Sequence, residues 1–307
     1  MSLVAPCAVS SAPKNTGIDC AVKMSAPVLI ILMPASLSWQ AADEVDFLSW
    51  LETQIHATSK RVYPLFGNVA NIRTITDGKE SDVTVTYDDG SMAFIRNGTI
   101  TRTFVTNKGG AAYAKALNSF NAFGNWAFIE VDKFMRVNRK ANVDGSYSGF
   151  PLNVAYAPTP EGATLKTEYL IPFTLNIQPD AYVQNSIIAT SDQYLLDVAG
   201  LVDAKITKAA AATTTAIKIG VQTIGTQTDL VAAFPTIADL TAFKIVDKVA
   251  GTVVTASAAS IVAGAVNLAG TYTSGKTYTV SGTGATALKA LSILGYEIVQ
   301  GIDIAIP

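Results

Sequence analysis

The sequence feature that most constrains this fold is a run of ten residues, 168–177, in which apolar and polar side chains alternate. Successive side chains of a β-strand point to opposite faces, so this alternation predicts a strand with one buried face. Pro172 lies within the run and has no backbone N–H to donate to a neighbouring strand. We therefore expect the strand to lie at a sheet edge or to carry a bulge, which makes Pro172 a candidate for subunit contact. The side chains predicted to be buried are those of Tyr169, Ile171, Phe173, Leu175 and Ile177.

Further segments have the same period of two, and the apolar run Ala26–Met33 indicates a buried strand that ends at Pro34. Val83, Val85 and Tyr87 alternate with threonines before an Asp-Asp-Gly turn, which predicts a hairpin. An acidic cluster surrounds this hairpin and would ordinarily be a solvated loop. Its members are Asp77, Glu80, Asp82, Asp88 and Asp89.

Two helices are predicted among the strands. In the first, Ser38–Ala57, apolar residues recur at spacings of three and four and form one stripe. Phe47 and Trp50 lie off that stripe, and large exposed apolar groups usually mark an interface, so we expect these two residues to contact a neighbouring subunit. The second helix is predicted over Gly110–Ala122 and ends at Gly124. The stripe of the first helix consists of Val45, Leu48, Leu51 and Ile55.

These patterns predict a mainly β (α+β) chain with four parts. Residues 1–24 form an N-terminal arm containing Cys7 and Cys20, which we interpret as free thiols. Residues 25–200 form a β-sandwich or barrel-like domain with one or two packed helices. Residues 201–288 contain short strands at intervals typical of an immunoglobulin-like (Ig-like) β-sandwich. Residues 289–307 include a closing strand, which suggests that the Ig-like module is inserted.

Composition favours a chain that is buried against partners. Only 15% of the residues are charged and 49% are hydrophobic, whereas ordinary soluble domains have about 25% charged residues. Obligate interfaces have such a composition, and the alternative is a surface rich in Thr, Ser, Ala and Gly. The net charge of −2 provides no basic field for specific nucleic-acid binding. No apolar run reaches the length of a membrane span, and we expect no cleaved leader.

The sequence contains no GxSxG, HExxH or GxGxxG motif, and His56, which we interpret as a helix-end residue, is its single histidine. Two cysteines and one histidine cannot provide a four-ligand zinc site. A pair of carboxylates brought together by folding remains an open alternative for glycoside hydrolysis. We expect no catalytic residues, no metal and no cofactor. The residues considered for the carboxylate pair are Asp82, Asp88, Glu130 and Asp132.

The order of these elements resembles that of tailed-bacteriophage tail tube proteins. The likeness rests on the helix around Ala41–Ala57, the hairpin Val83–Val105, the strand Glu168–Ile177 and the module 201–290. It implies a homo-oligomer, with hexameric rings stacked into a tube for DNA passage, in contact with other virion proteins. The protein would be made in the host cytoplasm and located in the virion, and the acidic cluster would face the lumen and repel phosphates.

Two other interpretations stay open. A capsid decoration or head-fibre protein would be a monomer or trimer that binds preformed capsids. A carbohydrate-binding surface module would need exposed aromatic residues in the Ig-like region, where Tyr272 and Tyr278 are the main candidates. We expect a homo-oligomer without catalytic activity.

Overall fold

The computed structural model describes residues 24–68, 70–160, 162 and 168–307. Strands contain 44% of the residues and helices 15%, which confirms the predicted mainly β fold. The chain divides into two compact units. Unit 1 runs to Ile55 and continues over Lys60–Ala199, and unit 2 consists of His56–Ser59 and Gly200–Pro307. The predicted arm, apart from Met24, lies outside the described residues, as do Cys7 and Cys20.

Unit 1 consists mainly of strands. They are β1 Pro27–Pro34, β2 Ser38–Trp39, β3 Tyr63–Phe66, β4 Thr74–Lys79, β5 Val83–Thr86, β6 Met92–Arg96, β7 Ile100–Thr106, β8 Ala122–Phe123, β9 Trp126–Asp132, β10 Arg136–Ala141, β11 Tyr147–Ser148, β12 Phe150–Tyr156, β13 Ile171–Ile177 and β14 Ser186–Thr190. Its helices are α1 Phe47–Ile55, α2 Gly110–Asn118 and α3 Pro179–Gln184, and a 3-10 helix, Asp43–Asp46, precedes α1.

Twelve of these strands form one antiparallel sheet with the path β2-β11-β10-β9-β12-β13-β7-β4. Strand β1 joins it by pairing with β3 and β9, β14 pairs with β10, and β8 pairs with β12. The core contains four fully buried phenylalanines from four strands, together with Leu117 of α2. These phenylalanines are Phe104, Phe128, Phe150 and Phe173.

Strand β13 forms as the alternation predicts, but the expectation that it lies at a sheet edge is wrong. It pairs with β7 along its whole length, from Ile171 to Ile177, and with β12 on its other side. The pairing with β12 ends at Thr174, so this flank of the strand is open at Pro172. The missing N–H of Pro172 therefore interrupts no bond to β12. Pro172 is half-buried and pairs with Val105 on its β7 side, and because its other flank is open, the subunit contact there stays a prediction.

The first helix is shorter than predicted, because Ser38 and Trp39 pair with β11 instead. Val45, assigned to the buried stripe, is 56% exposed, whereas Phe47 is fully buried. The prediction that Phe47 contacts a neighbouring subunit is therefore wrong, since its ring packs inside unit 1 and stacks on Trp50 at 5.4 Å. The residues of α1 that are buried are Phe47, Leu51 and Ile55.

The second helix forms where it is predicted but ends earlier. It stops at Asn118, and Phe120 beyond its end packs edge-on against Phe173 in the core. Gly124, which we expected to end the helix, follows β8 and adopts a positive φ of 66°. That conformation favours glycine, so Gly124 turns the chain after a strand and not after a helix.

Unit 2 consists of two sheets with one shared core. Its strands are β15 Val202–Lys208, β16 Ala216–Thr223, β17 Phe243–Asp247, β18 Val253–Val254, β19 Ala258–Val262, β20 Ala265–Ala269, β21 Thr277–Gly282, β22 Tyr296–Gln300 and β23 Ile302–Ala305. Helices α4 Leu230–Ala233 and α5 Ala285–Ala290, with 3-10 helices Pro235–Ile237 and Leu240–Ala242, connect them. The sheets have the orders β19-β20-β16-β15-β22 and β18-β17-β21-β23, and the core joins Ile217 and Ile219 of the first to Ile245 and Val280 of the second.

The link between β20 and β21 contains a feature of Greek-key β-sandwiches. The hydroxyl of buried Tyr272 donates to the carbonyl of Leu268, four residues upstream, at 3.1 Å. Such a tyrosine corner recurs in immunoglobulin-like domains. Gly270 allows it, because a Cβ there would lie 3.0 Å from the Tyr272 hydroxyl. Unit 2 thus carries a local feature typical of the architecture that its strand spacing predicts.

The closing segment belongs to this sandwich and is not a separate part. Strand β22 pairs in parallel with β15, and β23 pairs with β21. The division of 289–307 from 201–288 is therefore wrong, and so is the suggestion that the module is inserted, since the two last strands complete both of its sheets.

His56 directly follows the end of α1, as the helix-end interpretation expects, but its side chain is buried and belongs to unit 2. The Gly295 N–H donates to its Nε2 at 3.3 Å, and the Thr286 hydroxyl donates to its carbonyl at 2.8 Å. These bonds give His56 a structural role. No helix in the described part of the chain has both the length and the apolar character that crossing a bilayer requires.

Candidate functional site

The β5–β6 hairpin forms a two-stranded sheet of its own and is exposed from Thr84 to Arg96, with Ala93 alone half-buried. Met92 is 71% exposed, Phe94 59% and Ile95 56%. Contiguous exposed apolar groups of this kind usually mark an interaction site, and an isolated two-stranded hairpin is at best marginally stable in water. We therefore take it as the candidate functional site. Its apolar side chains, called the hairpin surface below, are Val85, Tyr87, Met92, Phe94 and Ile95.

The turn of the hairpin forms as its sequence predicts. The Gly90 N–H donates to the carbonyl of Tyr87, and the Tyr87 N–H donates to the carbonyl of Ser91. Gly90 has a φ of 82°, a conformation that glycine adopts without strain. The Asp89 carboxylate accepts from the N–H and the hydroxyl of Ser91 at 2.9 and 2.6 Å, and these bonds hold the pKa of Asp89 below its ordinary value. The Asp-Asp-Gly turn is therefore fixed by local hydrogen bonds.

The strand register places Met92 and Phe94 on one face. Phe94 lies opposite Thr84 and Met92 opposite Thr86, and directly paired residues share a face of the sheet. A bulge beside Val83 leaves Ile95 without a partner in the ladder. Met92, Phe94 and Ile95 were not among the functional residues predicted from the sequence. The sequence feature that could have identified them is a strand of large apolar residues paired with the Thr-rich β5. The two-stranded sheet that these strands form has no second layer to cover the apolar side chains.

The base of the hairpin is fastened to the end of β4. Gly98 N–H donates to Asp82 at 2.9 Å and lowers the pKa of that carboxyl, and Lys79 lies 3.2 Å from the same oxygen. The Glu80 N–H donates to the carbonyl of Thr99 at 3.0 Å. A Cβ at Gly98 would lie only 1.9 Å from the Glu80 carbonyl oxygen, so glycine is required there. The hairpin is thus an exposed arm on a rigid base.

The acidic cluster is divided among different parts of unit 1. Asp77 lies in β4 and pairs with Arg102, whose Nε is 2.5 Å from it, and Asp82 lies at the hairpin base with Lys79. Asp88 and Asp89 occupy the hairpin turn. The prediction of an acidic lumen lining is weakened for Asp77 and Asp82, because neighbouring cations offset their charge. Glu80 precedes the hairpin, is exposed, and stays with Asp88 and Asp89 as a prediction.

A buried polar network lies beneath β4 and β7. Arg102 joins Asp77 to Glu130, a carboxylate with 1% of its side chain exposed. The Tyr182 hydroxyl donates to Glu130 at 3.0 Å. Burial, together with the negative charge of Glu130, raises the pKa of Tyr182 to about 12. The Asn138 amide donates to the second oxygen of Glu130 at 3.3 Å, so this carboxylate is fully engaged.

A second network fixes the segment before α1. Arg139, fully buried, donates from Nη2 to Glu44 at 2.8 Å, and the Trp39 indole N–H donates to Glu44 at 3.2 Å. Burial raises the pKa of the Glu44 carboxyl, against the opposing effects of Arg139 and Trp39. Trp50 is half-buried and packs on the Trp39 ring at 5.1 Å. Its partial exposure leaves the predicted subunit contact at Trp50 a prediction.

Two of the carboxylates considered for hydrolysis, Glu130 and Asp132, are buried and engaged by other groups. Glu130 is engaged by Arg102, and Asp132 is fully buried, where it accepts from Arg136 Nε at 2.7 Å and from the Phe134 N–H at 2.8 Å. These bonds hold a turn together, which favours a structural role. Within the described residues, no three His, Cys, Asp or Glu side chains are arranged to hold a metal ion.

The carbohydrate-binding interpretation loses its main support in unit 2. Tyr272 and Tyr278 are 2% and 3% exposed, because both pack in the core with their rings 5.4 Å apart. Sugar stacking requires an accessible aromatic face. The large apolar side chains that unit 2 exposes in the described residues are all aliphatic.

Comparison of the sequence with protein-family models gives no match, and comparison with curated proteins gives none either.

Proposed function

We propose that this chain is a non-catalytic structural subunit that assembles with copies of itself. The observation that carries the proposal is the hairpin surface, in which Met92, Phe94 and Ile95 are exposed on an arm with a rigid base. Removing such side chains from water on assembly is favourable by about 25 cal/mol per Å². The low charge of the chain is consistent with extensive burial against other subunits.

The open edges of the unit 1 sheet provide further support. Among the described strands, β4 pairs only with β7, and β8 pairs only with β12. Exposed strand edges are sites at which another chain can add. The unpaired edges of β4 and β8, together with the projecting hairpin, are the elements required for a ring or a fibre.

Within this class, the more specific assignment is a bacteriophage tail tube subunit. In that role the chain would form stacked rings for DNA passage, contact other virion proteins, and be located in the virion after synthesis in the host cytoplasm. The support is the resemblance in element order, to which the hairpin surface adds a means of assembly.

The test is the assembly state of the purified full-length chain. Light scattering should give a mass several times the 32.2 kDa of one chain, and negative-stain images should show rings or tubes. A variant in which Thr84–Ile95 is replaced by two glycines keeps Val83 and Arg96, the pair at the base of the hairpin, and should be monomeric. Wild-type protein that remains monomeric over the whole concentration range would contradict the proposal. Trimers without rings would instead favour a decoration protein.

The matched control is Val143→Ser, which changes a fully exposed apolar side chain of unit 1 outside the hairpin. This variant should assemble like the wild type. Far- and near-ultraviolet circular dichroism of each variant establishes that a loss of assembly is not a loss of fold.

A further inference from the structure

An exposed apolar groove lies at the β8 edge of unit 1. Phe123 is 83% exposed, more than any residue of the hairpin surface, and Tyr156 is 39% exposed. Val154 lies opposite Phe123 in the ladder, and the groove runs along these residues. Ala122, Ala155 and the polar Asn121 complete its lining. A large aromatic side chain this exposed, beside a second aromatic residue, is typical of a binding surface.

The groove is held in shape without a partner. Strand β8 has only two residues, yet the Gly124 N–H donates to the Asn153 carbonyl at 2.9 Å on one side of it. On the other side the Ala157 N–H donates to the Asn121 side chain at 2.8 Å. The backbone that presents Phe123 is therefore fixed at both ends, and little ordering entropy would be lost on binding.

The groove and the hairpin lie at opposite ends of one transverse row of the sheet. The register aligns Phe123 with Val154, Asn176, Thr101 and Gly78 across β8, β12, β13, β7 and β4. Four steps of about 4.8 Å separate the ends by roughly 19 Å. The hairpin follows directly after β4. Both surfaces are exposed in the same chain, so the hairpin does not fill the groove of its own subunit.

We propose that the hairpin surface of one copy docks in the Phe123 groove of the next copy. This inference rests on the proposed function and identifies the two surfaces that would perform it. Each subunit offers one arm and one groove, on different edges, so the contact is head-to-tail. Such heterologous contacts generate closed rings or open filaments and do not stop at a dimer. The face carrying Met92 and Phe94 provides the apolar side chains, and Phe123 and Tyr156 provide the receiving wall.

The test uses cysteine crosslinking of the full chain in a Cys7→Ser/Cys20→Ser background. Thr86 pairs with Met92 and lies on the same face of the hairpin, so Thr86→Cys places a thiol beside the docking side chains. Asn153 lies beside the groove without lining it, so Asn153→Cys leaves the apolar contacts intact. With a short bismaleimide, the double variant should give a ladder of dimers, trimers and higher covalent oligomers. Neither single variant should crosslink, and an equimolar mixture of the two should stop at dimers.

The outcomes separate this inference from the function on which it rests. One outcome is that light scattering shows assembly of the background protein while the double variant gives no ladder of covalent oligomers. In that case the docking proposal is wrong and the self-assembly proposal stands. Dimers from Thr86→Cys alone would mean that hairpins pack on hairpins, which also overturns it. If the background protein is monomeric where the wild type assembles, lysine crosslinking of the wild type is used in its place. The mapped crosslinks must then join the region around Thr86 of one copy to the region around Asn153 of another. A wild type that never assembles overturns both proposals.

Discussion

Replacing Phe94 by serine should weaken assembly while leaving the subunit folded. Phe94 exposes 59% of its surface, and a phenylalanine buries on the order of 200 Å² when it is fully covered. Docking would therefore remove about 120 Å² of mostly apolar surface from water. At about 25 cal/mol per Å² this contributes about 3 kcal/mol, an upper value because coverage by the partner is incomplete. Each 1.4 kcal/mol corresponds to a factor of ten, so the dissociation constant should rise roughly 100-fold.

Sedimentation velocity over a concentration series of Phe94→Ser, Val143→Ser and the wild type measures this change. The control, Val143→Ser, removes an exposed apolar side chain that lies in a loop outside the hairpin. Its dissociation constant should therefore match that of the wild type. Urea unfolding of both variants should give nearly the same midpoint, since neither side chain is buried in the subunit. An oligomer of Phe94→Ser as stable as the wild-type oligomer would refute the assignment of the hairpin surface. A large loss of subunit stability would place Phe94 in the internal core instead.

Three further substitutions test the interior of the units. Glu130→Ala leaves the buried Arg102 with only Asp77 as its carboxylate and should lower the free energy of unfolding by about 3 kcal/mol in a denaturant titration, whereas an unchanged value would exclude a structural role for the network. His56→Ala removes the acceptor of the Gly295 N–H and should cost about 1–3 kcal/mol, so wild-type stability would contradict its placement in the core of unit 2. The Ala250 N–H and Lys276 lower the pKa of Asp247 below 3.8, so its stabilising effect is present above that pH and is lost as the pH falls through the folded-state pKa. The difference in melting temperature between the wild type and Asp247→Asn should accordingly shrink in acid, and a difference independent of pH would contradict this.

The strands could be predicted because alternation is a local property. The runs at 83–87 and 168–177 correspond to β5 and β13, and the buried segment at 26–33 to β1. Neighbouring strands could not be predicted in the same way. Whether Pro172 marks an edge depends on where β12 stops pairing, and β12 is separated from it by a connection of more than ten residues. A proline indicates a missing donor, and only the sheet order decides which flank it affects.

The first helix shows how tertiary contacts override a helical pattern. The stripe through Val45 and Leu48 has helical spacing, yet the segment before Phe47 is shaped by the buried Glu44–Arg139 pair and by the pairing of Trp39 with β11. Arg139 lies far away in sequence, so nothing near Glu44 indicates it. With this segment fixed in place, the Phe47 side chain lies in the core and the Val45 side chain lies in solvent. Periodicity gave the presence of the helix but not the face that it buries.

The candidate site was only partly visible in the sequence, since the hairpin could be predicted but its exposure could not. Met92 to Ile95 form a run of apolar residues that, read alone, indicates a buried strand. A strand is covered only if a second layer lies over it, and in this chain β5 and β6 form a sheet of two strands that is exposed on both faces. Phe123 was missed for the same reason. It is a single aromatic residue beside a glycine, and its accessibility follows from a two-residue strand at an edge.

An arm with exposed apolar side chains must also avoid indiscriminate association, and its construction limits this. Threonines alternate along β5 and the bulge at Ile95 interrupts the ladder, so the arm offers no long, flat apolar strand to another edge. Asp88 and Asp89 place negative charge at the tip, where two hairpins meeting end to end would repel each other. The apolar face that remains is short and carries Met92 and Phe94 side by side. It requires a partner with a matching groove, and the β8 edge of the same chain provides one through Phe123 and Tyr156. Specificity would then come from the shape of the groove, while the acidic turn and the bulge disfavour the competing contacts.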